Sequence, residues 1–291
     1  MRFRKAAAIL SLVAMFAGCA RLGERVERGT LPPGAPSIEE ILNDLAANEG
    51  AIRNFKATGA FTLVSPELTA TQKFRHSTIA FRQPADLYVV GRKYLGAVIF
   101  RMTCVGNAFL VEFPASKDEP YYSIEGQEFE SMPGRKVSPA EIAQEMFLPE
   151  AWASLKRRSV RMTQYDAASQ SATLEIGPRR SPERRVVATG PPWVIARCER
   201  FDERGNLIAV TEKGDYRELE GVRFPALVHA EFPGEQSSMA LRMRQVWPNT
   251  DLDGALFDID ARARALGLNL ERQVSSPRNS RGPGSQRHRP R

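Results

Sequence analysis

Residues 55–113 read FKATGAFTLVSPELTATQKFRHSTIAFRQPADLYVVGRKYLGAVIFRMTCVGNAFLVEF, a succession of short apolar runs broken by turn residues. Such runs, bounded by Pro, Asp, Gly and Asn, are typical of β-strands. The predicted strands are 57–64, 73–82, 86–92, 96–104 and 108–113. Their connections are too short for crossover helices, so consecutive strands must pair as antiparallel neighbours in a meander.

A second run of short apolar segments follows further along the chain. The predicted strands are 121–124, 159–165, 172–176, 184–189, 194–201, 207–216, 222–232 and 238–246. Sequences rich in Gly, Asp and Asn, such as residues 202–206, mark the turns between them. A short helix or turn is expected within residues 251–267. We therefore expect a mainly β (α+β) domain over residues 37–271.

Two helices are predicted beside these strands. Ser37 and Glu40 form a capping box, and apolar residues then recur at helical spacing to about Arg53. A second helix is predicted to begin at Ser138, because Pro139 occupies its first position. Its apolar side carries Ile142, Met146 and Phe147, and it includes Trp152 if the helix continues that far. We expect this helix to form a lid over the sheet.

The N-terminus predicts export and a membrane anchor. Residues 1–18 have the basic, apolar and small-residue zones of a signal peptide, and the apolar run is too short to span a bilayer. Ala17-Gly18 before Cys19 resembles the lipobox of bacterial lipoproteins, in which the cysteine is acylated; the alternative is an ordinary cleavable signal. The resemblance implies membrane attachment through acylated Cys19, and Ala20 in place of Asp implies the outer membrane. Residues 19–36, rich in charge and proline, are expected to form a tether.

The net charge of +7 originates at the two ends of the chain. Residues 1–18 and 272–291 carry nine basic groups and no acid, which leaves 32 basic against 34 acidic groups in residues 19–271. The predicted domain therefore lacks the basic surface of a nucleic-acid-binding protein. We expect residues 272–291 to be a disordered Arg-rich tail suited to anionic lipid or cell-wall polymer.

The sequence contains no recognisable catalytic or metal-binding constellation. It has no nucleophile elbow, no phosphate loop and no dinucleotide fingerprint after a strand. His76 and His229 fall in separate strands, without Cys or carboxylate at ligand spacing. The acidic group at Asp251, Asp253 and Asp258 does not have the spacing of an EF-hand calcium loop. We expect no enzymatic activity, no metal and no cofactor.

The strand over residues 207–216 and the turn after it carry charges of both signs. Glu212, Lys213, Asp215 and Arg217 alternate within a few positions. Interleaved signs are typical of a solvated strand face, which we favour over a catalytic carboxylate pair.

Two cysteines besides Cys19 fall in apolar runs predicted as strands. Cys104 and Cys198 would meet an oxidising compartment if the chain is exported. A disulfide between them and two separate buried thiols are both compatible with the sequence.

The order of elements resembles the fold of the lipoprotein-localisation carriers LolA and LolB. The resemblance rests on the helix beginning at Ser37 with the strand after it, on FRQPADL at 81–87, on GVRFP at 221–225, and on the strand 239–246 followed by Phe257. It implies a curved antiparallel half-barrel with a few helices covering its concave face. It also implies an apolar cavity that takes acyl chains.

The resemblance further implies candidate residues for such a cavity. The expected lining is Phe61, Leu63, Phe81, Leu87, Val89, Ile99, Phe109, Val111, Ile142, Met146, Phe147 and Trp152. The alternative for each is an ordinary place in a packed core. The carriers also hold an arginine that links a strand to the lid helices, and Arg82, Arg92 and Arg101 are the candidates for it.

These observations favour a membrane-anchored periplasmic lipoprotein that binds a lipid or acylated ligand as a carrier, receptor or sensor. The alternative is a structural or scaffolding lipoprotein that binds a protein or cell-wall partner and has no lipid cavity. The two differ in the interior, because the first needs accessible apolar space and the second a fully packed core.

Overall fold

A computed structural model describes residues 34–64, 71–93, 96–106, 108–114, 121–123, 145–147, 152, 155 and 160–268. The predicted signal peptide, Cys19, Ile142, the start of the predicted second helix and the Arg-rich tail lie outside the described residues. Across the described ranges, no helix has both the length and the apolar character needed to cross a membrane.

Within the residues that the structure describes, thirteen strands form one antiparallel sheet. They are β1 (Asn54–Val64), β2 (Gln72–Arg82), β3 (Asp86–Arg92), β4 (Val98–Val105), β5 (Ala108–Glu112), β6 (Tyr121–Ser123), β7 (Val160–Asp166), β8 (Ser171–Ile176), β9 (Arg184–Thr189), β10 (Val194–Phe201), β11 (Leu207–Leu219), β12 (Val222–Phe232) and β13 (Ser237–Pro248). Each strand lies within a few residues of one predicted from the sequence. The mainly β class is therefore confirmed.

The order of strands across the sheet is β6-β5-β4-β3-β2-β1-β13-β12-β11-β10-β9-β8-β7. The two meanders are joined through β1 and β13, where Phe61 pairs with Leu241. The sheet forms the expected curved, open half-barrel with helices on its concave face. Strands β6 and β7 follow each other in the chain but form opposite edges of the sheet. The described residues that lie between these strands in the chain, 145–147, 152 and 155, are named the crossing segment.

Two hydrophobic clusters lie on the concave side. The first is built by β1–β5 and β11–β13, and the second by β8–β10 together with helix α1 (Ile38–Gly50). The crossing segment belongs to both, because Met146 and Phe147 are buried in the first cluster and Trp152 and Leu155 in the second.

Helix α1 begins at the predicted cap, where the Ser37 hydroxyl accepts the backbone N–H of Glu40 at 3.0 Å. Its buried residues Ile41, Leu42 and Leu45 pack into the second cluster. Each such side chain contributes about 1.5–3 kcal/mol through burial, which attaches the helix to β8–β10. The helix ends at Gly50, slightly before the predicted end.

Helix α2 (Ile259–Ala265) packs on the other face of β5. Leu110 contacts this helix, whereas its neighbour Phe109 belongs to the first cluster, as alternation along a strand requires. Arg262 of α2 donates hydrogen bonds of 2.7 and 2.8 Å to the buried carboxylate of Glu112, which also accepts one of 2.6 Å from Arg101. These bonds clamp α2 to the sheet.

Cys104 and Cys198 are free thiols, and both are buried. Cys104 belongs to the first cluster and Cys198 to the second, on strands β4 and β10 that are far apart in the sheet order. The disulfide considered from the sequence is therefore absent from the structure, which has the alternative of two buried thiols. Burial raises the pKa of each thiol to about 12.

Candidate functional site

Four phenylalanine rings meet in the first cluster. The ring centroid of Phe55 lies 4.9 Å from those of Phe147 and Phe224 and 5.6 Å from that of Phe81. Phe147 also lies 5.0 Å from Phe81. Three of these rings come from strands of the sheet, whereas Phe147 comes from the crossing segment. The crossing segment thus covers the sheet by placing its own ring among those of the strands.

Most of the predicted lining residues meet in this first cluster. Those buried in it are Phe61, Phe81, Leu87, Val89, Phe109, Met146 and Phe147. Those partly buried and packed against it are Leu63, Ile99 and Val111. The sequence predicts Trp152 in the same cavity, but this residue lies in the second cluster, where it packs with residues of β8–β10. Ile142 lies outside the described residues.

A buried ion pair holds the crossing segment to the sheet and to α1. Lys213 of β11 lies with its Nζ 3.1 Å from Glu49 Oε1 of α1 and donates a hydrogen bond of 3.0 Å to the carbonyl oxygen of Phe147. Trp152 Nε1 donates to Glu49 Oε2 at 2.9 Å. Lys213 and Glu49 are each 7% exposed. We call these four residues the Lys213 network.

The Lys213 network connects three elements that are distant in sequence. Lysine and glutamate are almost never this deeply buried unless they are paired. Removing one partner of a buried ion pair leaves an uncompensated charge, at a cost of about 3–5 kcal/mol. The position of Phe147 therefore depends in part on a buried ion pair.

None of the candidate arginines takes the lid-linking position among the described residues. Arg82 donates from Nε and Nη2 to Oδ2 of Asp86, Arg92 donates to the Thr78 hydroxyl, and Arg101 pairs with Glu112. All of these partners lie on strands of the sheet or the turn beside them. The cations that contact the crossing segment are Lys213, which donates to the carbonyl oxygen of Phe147, and Arg184 and Arg200, which pair with Glu145 at 3.8 and 3.0 Å.

Sequence reasoning placed Lys213 on a solvated strand face, and this prediction is wrong. Ala209, Thr211 and Lys213 are all buried, since alternate residues of β11 point to the same side. The two-residue alternation of β11 could have predicted that the Lys213 side chain points into the domain. Its partner Glu49 is 164 residues away, so no local pattern reveals the pair.

A cavity of about 10 Å³ lies beside the Lys213 network. Its lining consists of Asn48, Glu49, Ile52, Phe55, Phe81, Phe147, Lys213, Tyr216, Phe224 and Pro225. A volume of about 10–15 Å³ admits a single water molecule, whereas sites for small molecules span roughly 300–1,000 Å³. This part of the concave face is therefore closed in the structure.

Tyr216 closes one side of this cavity. Its hydroxyl donates a hydrogen bond of 2.6 Å to the carbonyl oxygen of Ile195. Burial, followed by the negative charge of Glu49, raises the pKa of Tyr216 well above its ordinary value. The phenol therefore remains a neutral donor.

The acidic group near the C-terminal end of the domain caps short helices. Asp253 accepts the backbone N–H of Ala255, and Asp258 accepts that of Ala261, each at 2.9 Å. Within the described residues, no group of three or more His, Cys, Asp and Glu side chains is arranged to hold a metal ion. The carboxylates thus have a structural explanation.

No protein-family model and no curated protein matches this sequence. Solved structures share its fold. A DUF1329 family protein from Desulfovibrio piger is 13% identical over 76% of this chain and 97% of that chain, with a TM-score of 0.50. A domain from Vibrio parahaemolyticus named for outer membrane lipoprotein sorting is 11% identical over 77% of this chain and 98% of that chain, also with a TM-score of 0.50.

A LolA superfamily protein from Nitrosomonas europaea is 14% identical over 78% of this chain and 100% of that chain, with a TM-score of 0.44. The resemblance to the lipoprotein-localisation carrier superfamily, inferred from the sequence, is confirmed as a resemblance of fold. At such low identity the likeness concerns the fold alone.

Proposed function

We propose that this protein is an outer-membrane lipoprotein, facing the periplasm, whose half-barrel over residues 37–271 binds the acyl chain of a lipid or lipoprotein as a carrier, receptor or sensor. Residues 1–18 are its signal peptide, acylated Cys19 is its anchor, and residues 19–36 are its tether. The observation that carries the proposal is that the crossing segment packs over the first cluster. One ring of that cluster, Phe147, belongs to a crossing segment whose polar attachments are the Lys213 network and the pairing of Glu145 with Arg184 and Arg200.

Burial of an acyl chain can compensate for the free energy lost when the crossing segment leaves the first cluster. Displacing Phe147 gives up about 2–3 kcal/mol of apolar burial. Moving the crossing segment also breaks the hydrogen bond from Lys213 to the Phe147 carbonyl and the pairing of Glu145 with Arg184 and Arg200, a loss that is partly offset by the hydration these groups regain. Burial of ten methylenes returns about 8 kcal/mol at about 0.8 kcal/mol each. A chain of ten or more carbons therefore stabilises the open arrangement, and the small cavity beside the network is its closed, unliganded counterpart.

The direct test is binding of palmitate to the full chain carrying Cys19→Ser and purified without detergent. Native mass spectrometry should show one palmitate per chain, and butyrate should not bind because it buries too few methylenes. Phe147→Ala removes the ring that competes with the chain and should tighten binding about tenfold. Phe257→Ala removes a buried ring from the 3-10 helical turn Gly254–Phe257, outside the first cluster. It is the matched control and should leave binding unchanged.

Failure of both the parent chain and Phe147→Ala to bind palmitate would overturn the proposal. That result would favour a second candidate supported by the closed interior, a structural lipoprotein that binds a protein or cell-wall partner. In that case deletion of residues 272–291 should abolish binding to purified cell wall, whereas Phe147→Ala should have no effect on it.

A further inference from the structure

The sheet divides between β12 and β13. These strands pair from Leu227 with Arg242 to Phe232 with Ser237. Beyond Leu227, residues 222–226 of β12 pair with β11 only, and residues 243–248 of β13 pair with β1 only. We call the opening between these two segments the split. Two lengths of strand backbone face each other across it without forming a ladder.

A groove of about 220 Å³ occupies the split. Leu219, Val246 and Trp247 supply apolar surface along it, and Phe224 lies at its inner end. Trp247 is 44% exposed, and Leu207 is the one other large apolar side chain exposed in the described ranges. An exposed tryptophan beside an apolar groove indicates a surface that a ligand covers.

One arginine guanidinium stands at the groove. Arg217 Nη1 donates a hydrogen bond of 3.0 Å across the split to the carbonyl oxygen of Arg244, and Arg217 Nη2 lies 2.7 Å from Asp215. Arg244 lines the groove, but its Nη2 donates to the carbonyl oxygen of Arg75 on β2 at 3.0 Å, so its guanidinium reaches across β1 and away from the split. An arginine fork such as that of Arg217 matches a carboxylate or phosphate.

Phe224 separates the groove from the closed cavity of the concave face. The same ring lines both spaces, and it packs edge-on against Phe55 at 4.9 Å. The groove is much larger than the closed cavity of about 10 Å³. A chain that lies along the groove reaches Phe224, and carbons beyond that point have to pass this ring.

We propose that the split is the opening through which a single alkyl chain with an anionic head group enters the half-barrel. The head group binds Arg217, the first carbons lie against Trp247, and Phe224 turns aside to admit the rest of the chain toward Phe147. This inference rests on the proposed function and adds to it a route, a direction of insertion and a charge for the ligand.

Tryptophan quenching by brominated palmitate tests the route in the full chain carrying Cys19→Ser. Bromine on carbon 2 should quench Trp247, so its effect should largely disappear in the exposed-site variant Trp247→Phe. Bromine on carbon 16 should quench the remaining tryptophans equally with and without Trp247→Phe. Binding with equal carbon-2 quenching in both proteins would overturn the route while leaving the proposed function standing. Absence of any binding would overturn both.

Arginine variants test the head group. Arg217→Gln should weaken binding of palmitate about tenfold and binding of its methyl ester less than twofold. Arg197→Gln, in an exposed pair on β10, is the matched control and should change neither. Sixteen-carbon lysophosphatidylglycerol, measured beside palmitate, distinguishes a phospholipid phosphate from a free carboxylate by which of the two loses more affinity. Equal loss for the acid and its ester, or binding of a peptide strand in the split instead, would contradict the assignment.

Discussion

Lys213 and Glu49 face each other inside the domain, with 3.1 Å between Nζ and Oε1. The same ammonium group holds the backbone of Phe147 and the same carboxylate holds the indole of Trp152, so one ion pair positions the crossing segment at both clusters. Removing one member of the pair and removing both should therefore change the free energy of unfolding by different amounts.

Lys213→Met alone should lower the free energy of unfolding by about 3–5 kcal/mol, because Glu49 is left buried without its cation. The double variant Lys213→Met with Glu49→Gln removes both charges and should lie within about 1 kcal/mol of the parent chain. Urea unfolding followed by far-UV circular dichroism measures both.

Arg197→Met provides the comparison for this pair, since its partner Glu212 is exposed. Exposed pairs contribute about 0–1 kcal/mol, so this variant should have little effect. Equal destabilisation by Lys213→Met and the double variant would show that the loss comes from packing rather than from charge.

Glu112 should make the domain sensitive to acid. Burial favours the neutral form, but the hydrogen bond from Arg262 and the charges of Arg101 and Arg262 outweigh it, so the pKa of Glu112 is lowered from its ordinary value of 4.5. The resulting stabilisation is fully present above pH 4.5 and is lost as the pH falls through the lower pKa of the folded state. Glu112→Gln should therefore lower Tm at pH 7 and flatten its dependence on pH below 4.5, whereas Glu212→Gln at an exposed site should leave the profile unchanged.

The two internal thiols should be unreactive in the folded chain. Since burial raises the pKa of both to about 12, almost no thiolate is present at pH 8. Iodoacetamide should label neither Cys104 nor Cys198 in buffer and both of them in 6 M guanidinium chloride, as read by peptide mass spectrometry. A disulfide-linked peptide containing both residues would contradict the free state.

Gly59 should be required where β1 meets β13. A side chain there would collide with the backbone carbonyl of Arg242, at the register shift beside this residue. Gly59→Ala should cost about 1–3 kcal/mol in thermal or denaturant unfolding because the strands must separate to admit it. Gly214→Ala meets only the side chain of Leu227 at 3.9 Å, so it should stay within about 1 kcal/mol of the parent. Similar losses for the two variants would indicate a general intolerance of alanine in these strands.

The strands and the capped first helix could be predicted because their signals are local. The alternation in residues 72–82 and the cap at Ser37 depend only on neighbouring residues, and both have the expected structure. The Lys213 network and the split could not be predicted, because each depends on which distant strands become neighbours. The choice between a disulfide and free thiols likewise required knowing that Cys104 and Cys198 belong to different clusters.

The pairing of β1 with β13 has a consequence for the order in which the chain folds. The first five strands can pair as they are synthesised, but one edge of β1 remains unpaired until β13 has been synthesised. Closing a contact of such high sequence separation is slow, and an exposed strand edge in the interval invites pairing with other chains. Truncation before residue 237 would therefore leave an aggregation-prone partial sheet rather than a smaller stable domain.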